Sequence, residues 1–322
     1  MTGGPIRAVA LTGLVCACGA VLAATQAPGQ AAVAPQPAQV QAPAFRSGVD
    51  VVSLTVTVTD PAGRYVTDLG ADDFTVLEDG VTQEIGFFNR TSLPLSVALL
   101  VDSSASMDEK MQTAQTAALG FVESLRPQDS VQVVDFDSRV AVAAPFGTPR
   151  QEVAKAIRSI VAGGSTSLYN AIYVTLKDLK KIETRGGTDE RRQAVIVLSD
   201  GEDTSSLVSY EEVLELARRS ETSIYAIGIR TREPGAGKGY NEADFVLRQL
   251  TSQTGGRVFF PTRISELPAI YEVVSQELSS QYLVGYTSSN GRRDGQWRRV
   301  AVRTSRPGAT ARTRMGYYAP AR

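Results

Sequence analysis

The sequence contains no histidine, and this absence restricts the chemistry more than any other feature of its composition. Without an imidazole, Ser-His-Asp and Cys-His catalysis are excluded, and so are zinc sites built on histidine. The only cysteines, Cys16 and Cys18, lie close to the N-terminus. A metal ion held elsewhere in the chain would therefore be bound by oxygen, which favours magnesium, calcium or manganese.

The chain also lacks an excess of charge of either sign. It carries 33 basic and 34 acidic residues, for a net charge of -1, and no long block of one sign interrupts it. This balance argues against a nucleic-acid partner. The hydrophobic fraction of 43% over 322 residues is that of an ordinary globular protein, with room for one large domain or two smaller ones.

Residues 1–27 have the layout of a secretory signal peptide. A single arginine precedes an apolar stretch from Ala8 to Ala24, which closes on small residues. We predict cleavage near Ala24 or Pro28 and an extracytoplasmic protein, periplasmic or secreted, with no membrane association after signal removal. A retained anchor helix is the alternative, because an apolar run of about 17 residues lies at the lower edge of a membrane span. A lipoprotein attached through Cys18 is a weaker alternative.

The mature protein would contain no cysteine and hence no disulfide, despite its predicted location outside the cytoplasm.

Residues 28–44 are rich in proline, alanine and glutamine and show no apolar periodicity. This composition predicts a flexible linker.

Two segments at opposite ends of the ordered chain have the pattern of β-structure. In residues 45–90, Val49 to Thr59 alternates apolar and polar residues, and Asp79-Gly80 predicts a hairpin joining two strands between Asp73 and Phe88. Residues 280–322 return to strand and turn patterns. Because neither segment alone has enough strands to bury a face, we predict that they form one small β-sandwich-like domain together.

Between these segments, residues 91–279 alternate buried strands with amphipathic helices. The stretch Leu95 to Val101 is nearly all apolar, which is typical of a strand buried on both faces. Repeated β-α alternation predicts an α/β fold with a doubly wound, mostly parallel sheet flanked by helices, as in Rossmann-like proteins.

Three polar clusters are predicted to lie at the strand tips of the α/β part. They are Asp102 to Ser106, Gly163 to Ser167, and Ser199 to Asp203. Since ligands bind beyond the carboxyl ends of parallel strands, we expect these clusters to meet at one edge of the sheet. The oxygens that they offer suit a hard divalent cation. The candidate metal ligands are Asp102, Ser104, Ser106, Thr166 and Asp200.

Each cluster also has an ordinary structural interpretation. Serine and threonine hydroxyls cap helices, and Asp-Gly forms turns. The joint occurrence of the three clusters at strand ends favours the metal site. Glu202 and Asp203 are predicted to be solvated at its rim rather than to bind the ion.

The three motifs resemble those of the von Willebrand factor A domain, in the order in which its metal-ion-dependent adhesion site uses them. They are Asp-x-Ser-x-Ser after a buried strand, threonine in Gly-Gly-Ser-Thr-x-Leu-Tyr, and aspartate in Leu-Ser-Asp-Gly. The resemblance extends over roughly Leu95 to Ser279, and the flanking segments resemble those of secreted bacterial von Willebrand factor A-related proteins. One departure is Asn170, where many relatives carry aspartate.

The resemblance implies specific tasks for the five residues. Ser104 and Ser106 would ligate the ion directly, Asp102 and Asp200 directly or through water, and Thr166 when a ligand is engaged. Two carboxylates roughly balance a divalent charge, and the neutral hydroxyls leave the ion able to accept another carboxylate.

The resulting functional prediction is a secreted, non-enzymatic adhesion module. It would bind an Asp or Glu carboxylate of a protein partner through Mg²⁺, with Ca²⁺ or Mn²⁺ as alternatives. A metal-dependent, phosphatase-like hydrolase is a second hypothesis, although the second acid expected two residues after Asp102 is replaced by Ser104. A metal-free structural scaffold is the third.

Overall fold

A computed structural model of the protein describes residues 51–90, 93–185, 191–199, 202–229 and 242–321. The predicted signal peptide and linker, residues 1–44, lie outside the described residues. No helix in the described ranges combines the length and the apolar character needed to cross a lipid bilayer.

The first β segment contains four strands. They are β1 (Val51–Thr59), β2 (Phe74–Glu78), β3 (Val81–Gln83) and β4 (Ile85–Arg90). Asp79 and Gly80 both have positive φ, 48° and 85°, as the two central residues of a tight hairpin turn between β2 and β3 require. The sequence predicted two strands here, and the structure has three. After β3 the chain leaves the hairpin, and Phe88 of β4 reaches the core of the sandwich. There its ring stacks on that of Tyr282, with 5.7 Å between the ring centroids.

The central segment forms the α/β part of the molecule. Its elements are β5 (Leu95–Asp102), α1 (Asp108–Ser124), β6 (Ser130–Phe136), β7 (Val140–Ala144), α2 (Arg150–Arg158), α3 (Leu168–Arg185), β8 (Arg192–Ser199), α4 (Tyr210–Arg219), β9 (Ser223–Gly228), α5 (Glu242–Thr254), β10 (Val258–Phe259) and α6 (Leu267–Ser279). The six strands form one sheet in the order β10-β9-β8-β5-β6-β7. All neighbouring strands are parallel except β7, which is antiparallel to β6.

Strand β5 lies in the interior of this sheet, and every one of its residues is buried. Val97, Leu99 and Val101 pack into the core that includes α1, α2 and α6. Ala98 and Leu100 face the opposite core with α3, α4 and α5. Helices thus cover both faces of β5, which explains why its sequence is nearly all apolar.

The C-terminal segment adds four strands. They are β11 (Tyr282–Thr287), β12 (Trp297–Thr304), β13 (Thr310–Arg312) and β14 (Gly316–Tyr318). They complete two antiparallel sheets, in the orders β13-β1-β11-β4 and β14-β12-β2-β3. Side chains from both sheets share one hydrophobic core. Each sheet therefore contains strands from both ends of the chain, and the predicted fold class is confirmed.

A buried carboxylate connects the sandwich to the α/β part. Glu277, at the end of α6, is fully buried and accepts a hydrogen bond of 2.7 Å from the hydroxyl of Tyr225 on β9. Arg312 of β13 forms an ion pair with the same carboxylate. Burial raises the pKa of Tyr225 well above its usual value, so that the hydroxyl stays protonated and donates.

Candidate metal site at the sheet edge

The candidate site lies where the order of the strands reverses. From β5 the chain continues to β6 on one side and later returns to β8 on the other. Open α/β sheets bind ligands in the crevice at such a switch point, beyond the carboxyl ends of the strands. Asp102 is the last residue of β5 and Ser199 is the last residue of β8, so both face this crevice edge.

Asp102 is fully buried and held by hydrogen bonds at both carboxylate oxygens. Its Oδ1 accepts the backbone N–H of Ser104 at 2.8 Å. Its Oδ2 accepts the hydroxyl of Ser199 at 2.6 Å. These bonds fix the orientation of the carboxylate.

The hydroxyls of Ser104 and Ser106 lie next to each other, with 3.1 Å between their Oγ atoms. A short 3-10 turn from Ala105 to Met107 produces this spacing. The side chain of Met107 is fully buried and anchors the turn. Ser104 is buried and Ser106 is exposed, so the pair spans the boundary between the sheet and solvent.

A second loop approaches this turn through two backbone hydrogen bonds. The N–H of Gly163 donates to Ser103 at 2.7 Å, and the N–H of Ala105 donates to Gly164 at 3.0 Å. Gly164 has φ of +75°, and a Cβ atom there would lie 2.8 Å from Oδ2 of Asp137. Glycine is therefore favoured at residue 164, because another residue would be strained at this positive φ.

Thr166, in the same loop, is buried and its backbone is bonded on both sides. Its N–H donates to Oγ1 of Thr204 at 3.0 Å, and its carbonyl accepts the N–H groups of Thr204 and Ser205 at 2.9 and 3.1 Å. These bonds tie the loop before α3 to the loop before α4. The three predicted clusters therefore belong to one connected group of loops.

Asp200, the fifth predicted ligand, lies outside the described residues. The structure places Asp102, Ser104 and Ser106 together and connects the loop of Thr166 to them. Within the described part of the chain, no three His, Cys, Asp or Glu side chains form a cluster that could hold a metal ion. The assignment of the five ligands remains a prediction.

The residues that are described fit an octahedral dication. Mg²⁺ has ligand distances of about 2.0–2.1 Å, so neighbouring oxygens of an octahedron lie roughly 3 Å apart. The 3.1 Å between the hydroxyls of Ser104 and Ser106 corresponds to such a pair. The oxygen-only donor set is also the one that Mg²⁺, Ca²⁺ and Mn²⁺ prefer. Ser104 and Ser106 would hold the ion, and the oriented carboxylate of Asp102 would supply negative charge beside it.

Asp203, which is predicted to be solvated at the rim rather than to bind the ion, also has hydrogen-bond partners in the structure. Its Oδ2 accepts the N–H of Tyr169 at 2.8 Å and the hydroxyl of Ser206 at 2.6 Å. Tyr169 is in the first turn of α3, where backbone N–H groups have no partner within the helix. Asp203 thus caps α3 from a different loop, whereas Glu202 is exposed as predicted.

Asn170 stabilises the same loop from the opposite side. Its Oδ1 accepts the N–H groups of Leu207 and Val208 at 3.1 and 3.2 Å, and its own N–H donates to Ser206 at 2.9 Å. An amide oxygen accepts hydrogen bonds as a carboxylate does. Asparagine in place of aspartate at residue 170 therefore still holds the loop, because its side-chain oxygen accepts both backbone hydrogen bonds.

Sequence reasoning missed Ser199 and the capping function of Asp203. Both act on residues far away in the sequence, 97 residues for Ser199 and 34 for Asp203. No local pattern marks such a contact, because the partner is determined by the order of the strands.

The electrostatics of the site include a neighbouring acid on β6. Asp135 is partly buried, and its Oδ1 has no hydrogen-bond partner among the described residues. Burial raises the pKa of Asp135, a hydrogen bond with Ser103 opposes this, and the charge of Asp137 adds to the rise. The carboxyl group thus has a greater tendency to be neutral than an exposed aspartate.

The family assignment agrees with this fold and site. The family profile described as von Willebrand factor type A domain matches residues 96–273, which is more than half of the chain. The chain belongs to the von Willebrand factor type A domain family. Domains of this family typically mediate protein–protein interactions through a metal-ion-dependent adhesion site.

Individual relatives are distant. The uncharacterized protein sll0103 of Synechocystis sp. is 26% identical over 201 residues, which cover 62% of this chain and 44% of that protein. The chain thus spans less than half the length of this relative. A von Willebrand factor type A structure from Catenulispora acidiphila is 13% identical with a TM-score of 0.49, covering 86% of this chain and 75% of the other. Proximal thread matrix protein 1 from the mussel byssus, described with a zinc-occupied MIDAS motif, is 18% identical with a TM-score of 0.45. The match covers 61% of this chain and 47% of that protein.

Proposed function

We propose that this protein is an extracytoplasmic, non-enzymatic binding module that captures a carboxylate of a protein partner through a divalent cation, preferentially Mg²⁺. The observation that supports this proposal best is the arrangement at the end of β5. A buried, doubly hydrogen-bonded Asp102 lies beside two hydroxyls 3.1 Å apart, at the switch point of the sheet.

The proposed chemistry follows from the charges of the ligands. Asp102 and Asp200 would together roughly offset a divalent cation, while the hydroxyls of Ser104, Ser106 and Thr166 are neutral. An ion held in this way supplies a Lewis-acidic position that accepts another oxygen ligand. An Asp or Glu side chain of a partner protein is the ligand that adds the missing negative charge.

The absence of a catalytic function is part of the proposal. A phosphatase-like mechanism would use an acid two residues after Asp102, and that residue is Ser104. The chain also has no histidine to act as a general base. A screen with phosphate esters in saturating Mg²⁺ tests this point, and turnover would favour the hydrolase hypothesis instead.

The direct test is calorimetric titration of the mature chain with MgCl₂, combined with capture of partners from an extracytoplasmic extract. We expect saturable Mg²⁺ binding, and we expect captured proteins to be released by EDTA and recaptured when Mg²⁺ is restored. A chain that binds no divalent cation would support the metal-free scaffold.

Thr166→Ala separates metal binding from partner binding. We propose that Thr166 ligates the ion mainly when a partner is engaged. Resting Mg²⁺ affinity should therefore fall only slightly, while partner capture at saturating Mg²⁺ should fall at least tenfold. Thr116→Ala is the control, because Thr116 is an exposed hydroxyl of α1 that bonds to its own helix. Undiminished capture by Thr166→Ala would contradict the adhesion mechanism without removing the metal site.

The location is proposed from the N-terminal sequence alone. N-terminal sequencing of periplasmic or secreted protein should give a first residue near Ala24 or Pro28. Membrane-bound protein that retains Met1 would favour the anchor helix.

A further inference from the structure

A second candidate binding site lies in a cleft where α3 and α4 meet the sandwich. The cleft has a volume of about 640 Å³. Its other wall is formed by β14, the residues after it, and the turn between β11 and β12. This volume lies in the range of about 300–1,000 Å³ that is common for ligand pockets. Of the predicted metal ligands that the structure describes, Asp102, Ser104, Ser106 and Thr166, none lines the cleft.

The wall of the cleft is strongly basic. Among the described residues, one acidic residue, Glu221, lines it together with seven basic residues. The basic residues are Lys180, Arg218, Arg219, Arg292, Arg293, Arg298 and Arg314. The whole chain has a net charge of only -1, so this concentration of arginine is local. A concave surface with one sign of charge attracts ligands of the opposite sign.

Three of these arginines pair with acids. Arg298 lies 3.3 Å from the buried Glu78, Arg219 lies 2.7 Å from Glu215, and Arg314 lies 3.5 Å from Glu221. These ion pairs neutralise part of the positive charge of the cleft and hold the three arginine side chains in place.

Arg218 and Arg292 differ from them, because neither forms an ion pair with any described residue. Arg218 is nevertheless held in place: its Nε donates to Gln253 at 3.1 Å, and its guanidinium lies 5.4 Å from the centre of the Trp297 ring. The side chain of Arg292 is exposed at the rim. A positioned arginine and a free one are thus available to a ligand.

We propose that this cleft binds an acidic peptide segment of another protein. The planar guanidinium group binds carboxylates through two parallel hydrogen bonds. The same wall includes apolar and aromatic groups, among them Val51, Pro320 and Tyr317. A peptide offers both carboxylates and aliphatic side-chain atoms to such a wall, whereas a bare phosphate offers only charge.

The proposed acidic segment belongs to another molecule. Residues 1–50 contain a single acidic residue, Asp50, so the N-terminal part of this chain does not supply an acidic segment. The site is also independent of the proposed metal site, because its basic residues need no cation to attract carboxylates.

Trp297 is the only tryptophan of the protein and provides the signal for a test. Its ring lies 5.0 Å from Tyr318 and contacts Arg218, both of which line the cleft. We would titrate the full chain with hexaglutamate in the presence of EDTA and follow tryptophan fluorescence. Hexaglutamine is the uncharged control. We expect saturable binding of hexaglutamate only, with an affinity that falls as salt is added.

The variants Arg292→Gln and Arg218→Gln/Arg292→Gln should weaken the binding of hexaglutamate, the double variant at least tenfold. Arg303→Gln is the matched control, because Arg303 is exposed on β12 and does not line the cleft. Arg292 is exposed and makes no side-chain bond to a described residue, so its variant should fold normally.

Equal binding of both peptides, or unchanged affinity in Arg292→Gln and the double variant, would overturn the proposal. Saturable binding of pyrophosphate without binding of hexaglutamate would overturn it in favour of a phosphate-bearing ligand.

Discussion

At the scale of single residues, the candidate metal site depends on side chains whose partners come from distant parts of the chain. Asp102 was identified from the sequence because an acid follows an apolar strand. Its partner Ser199 was not, since only the adjacency of β5 and β8 brings the two together. Residue type and strand position therefore predict Asp102 as a candidate ligand, whereas the orientation of its carboxylate depends on the strand order.

Asp102→Asn tests the charge of this residue with little change in shape. The amide oxygen can still accept the N–H of Ser104, so we expect the free energy of unfolding to change by less than about 1 kcal/mol. Mg²⁺ affinity should fall at least tenfold, because one of two proposed carboxylates is lost. Asp102→Ala should in addition lower the free energy of unfolding by about 1–3 kcal/mol, because the Ser104 N–H and the Ser199 hydroxyl lose their buried acceptor. Calorimetry and urea unfolding measure both effects, and unchanged Mg²⁺ affinity in Asp102→Asn would disprove the assignment of Asp102.

Gly164 and Gly163 form a natural pair for testing the approach of the second loop. Gly164→Ala places a side chain at φ of +75° and only 2.8 Å from Asp137, whereas a Cβ at Gly163 meets no atom within 4 Å. We expect Gly164→Ala to destabilise the protein by about 1–2 kcal/mol from the backbone alone and to weaken Mg²⁺ binding. Gly163→Ala should leave both quantities close to wild type. Similar thermal midpoints and Mg²⁺ affinities for the two variants would show that the loop does not need glycine at residue 164.

At the scale of elements, periodicity predicted most strands and helices, because each buries one side or both in a regular pattern. The fully buried β5 and the Asp79-Gly80 hairpin are confirmed in this way. The crossing of β4 to the other sheet was missed, since its burial pattern is irregular and its position depends on contacts with Phe74 and Tyr282.

Helix α3 shows how a loop can stabilise a distant element. Asp203 accepts the N–H of Tyr169 in the first turn, where a negative charge is also favoured by the helix dipole. Asp203→Ala should therefore lower the free energy of unfolding by about 1 kcal/mol and speed amide exchange at Tyr169. Glu202→Ala is the control, because Glu202 is exposed in the same loop. Equal exchange at Tyr169 in the two variants would show that the cap contributes nothing.

At the scale of the whole molecule, the sandwich contains strands from both ends of the chain. This arrangement was predicted from strand counts alone, since neither segment could bury a face by itself. The contact through Glu277, Tyr225 and Arg312 was not predictable, because nothing in the sequence pairs a helix end with two strands so far away. The domain boundaries at residues 91 and 279 remain a proposal.

Truncation after Ser279 tests whether the sandwich depends on both segments. The truncated chain would lack β11 and β13, which flank β1, and β12, which pairs with β2. Without these neighbours the remaining strands cannot form either sheet, and the buried side chains Leu54 and Val76 would be exposed to water. Amide protection in residues 51–90 should disappear, while β5 and β8 should keep theirs because their sheet neighbours remain. A chain truncated after Tyr318 retains all four C-terminal strands and should keep full protection. Protected amides in β1 after truncation at Ser279 would show that the N-terminal segment folds without its C-terminal partner.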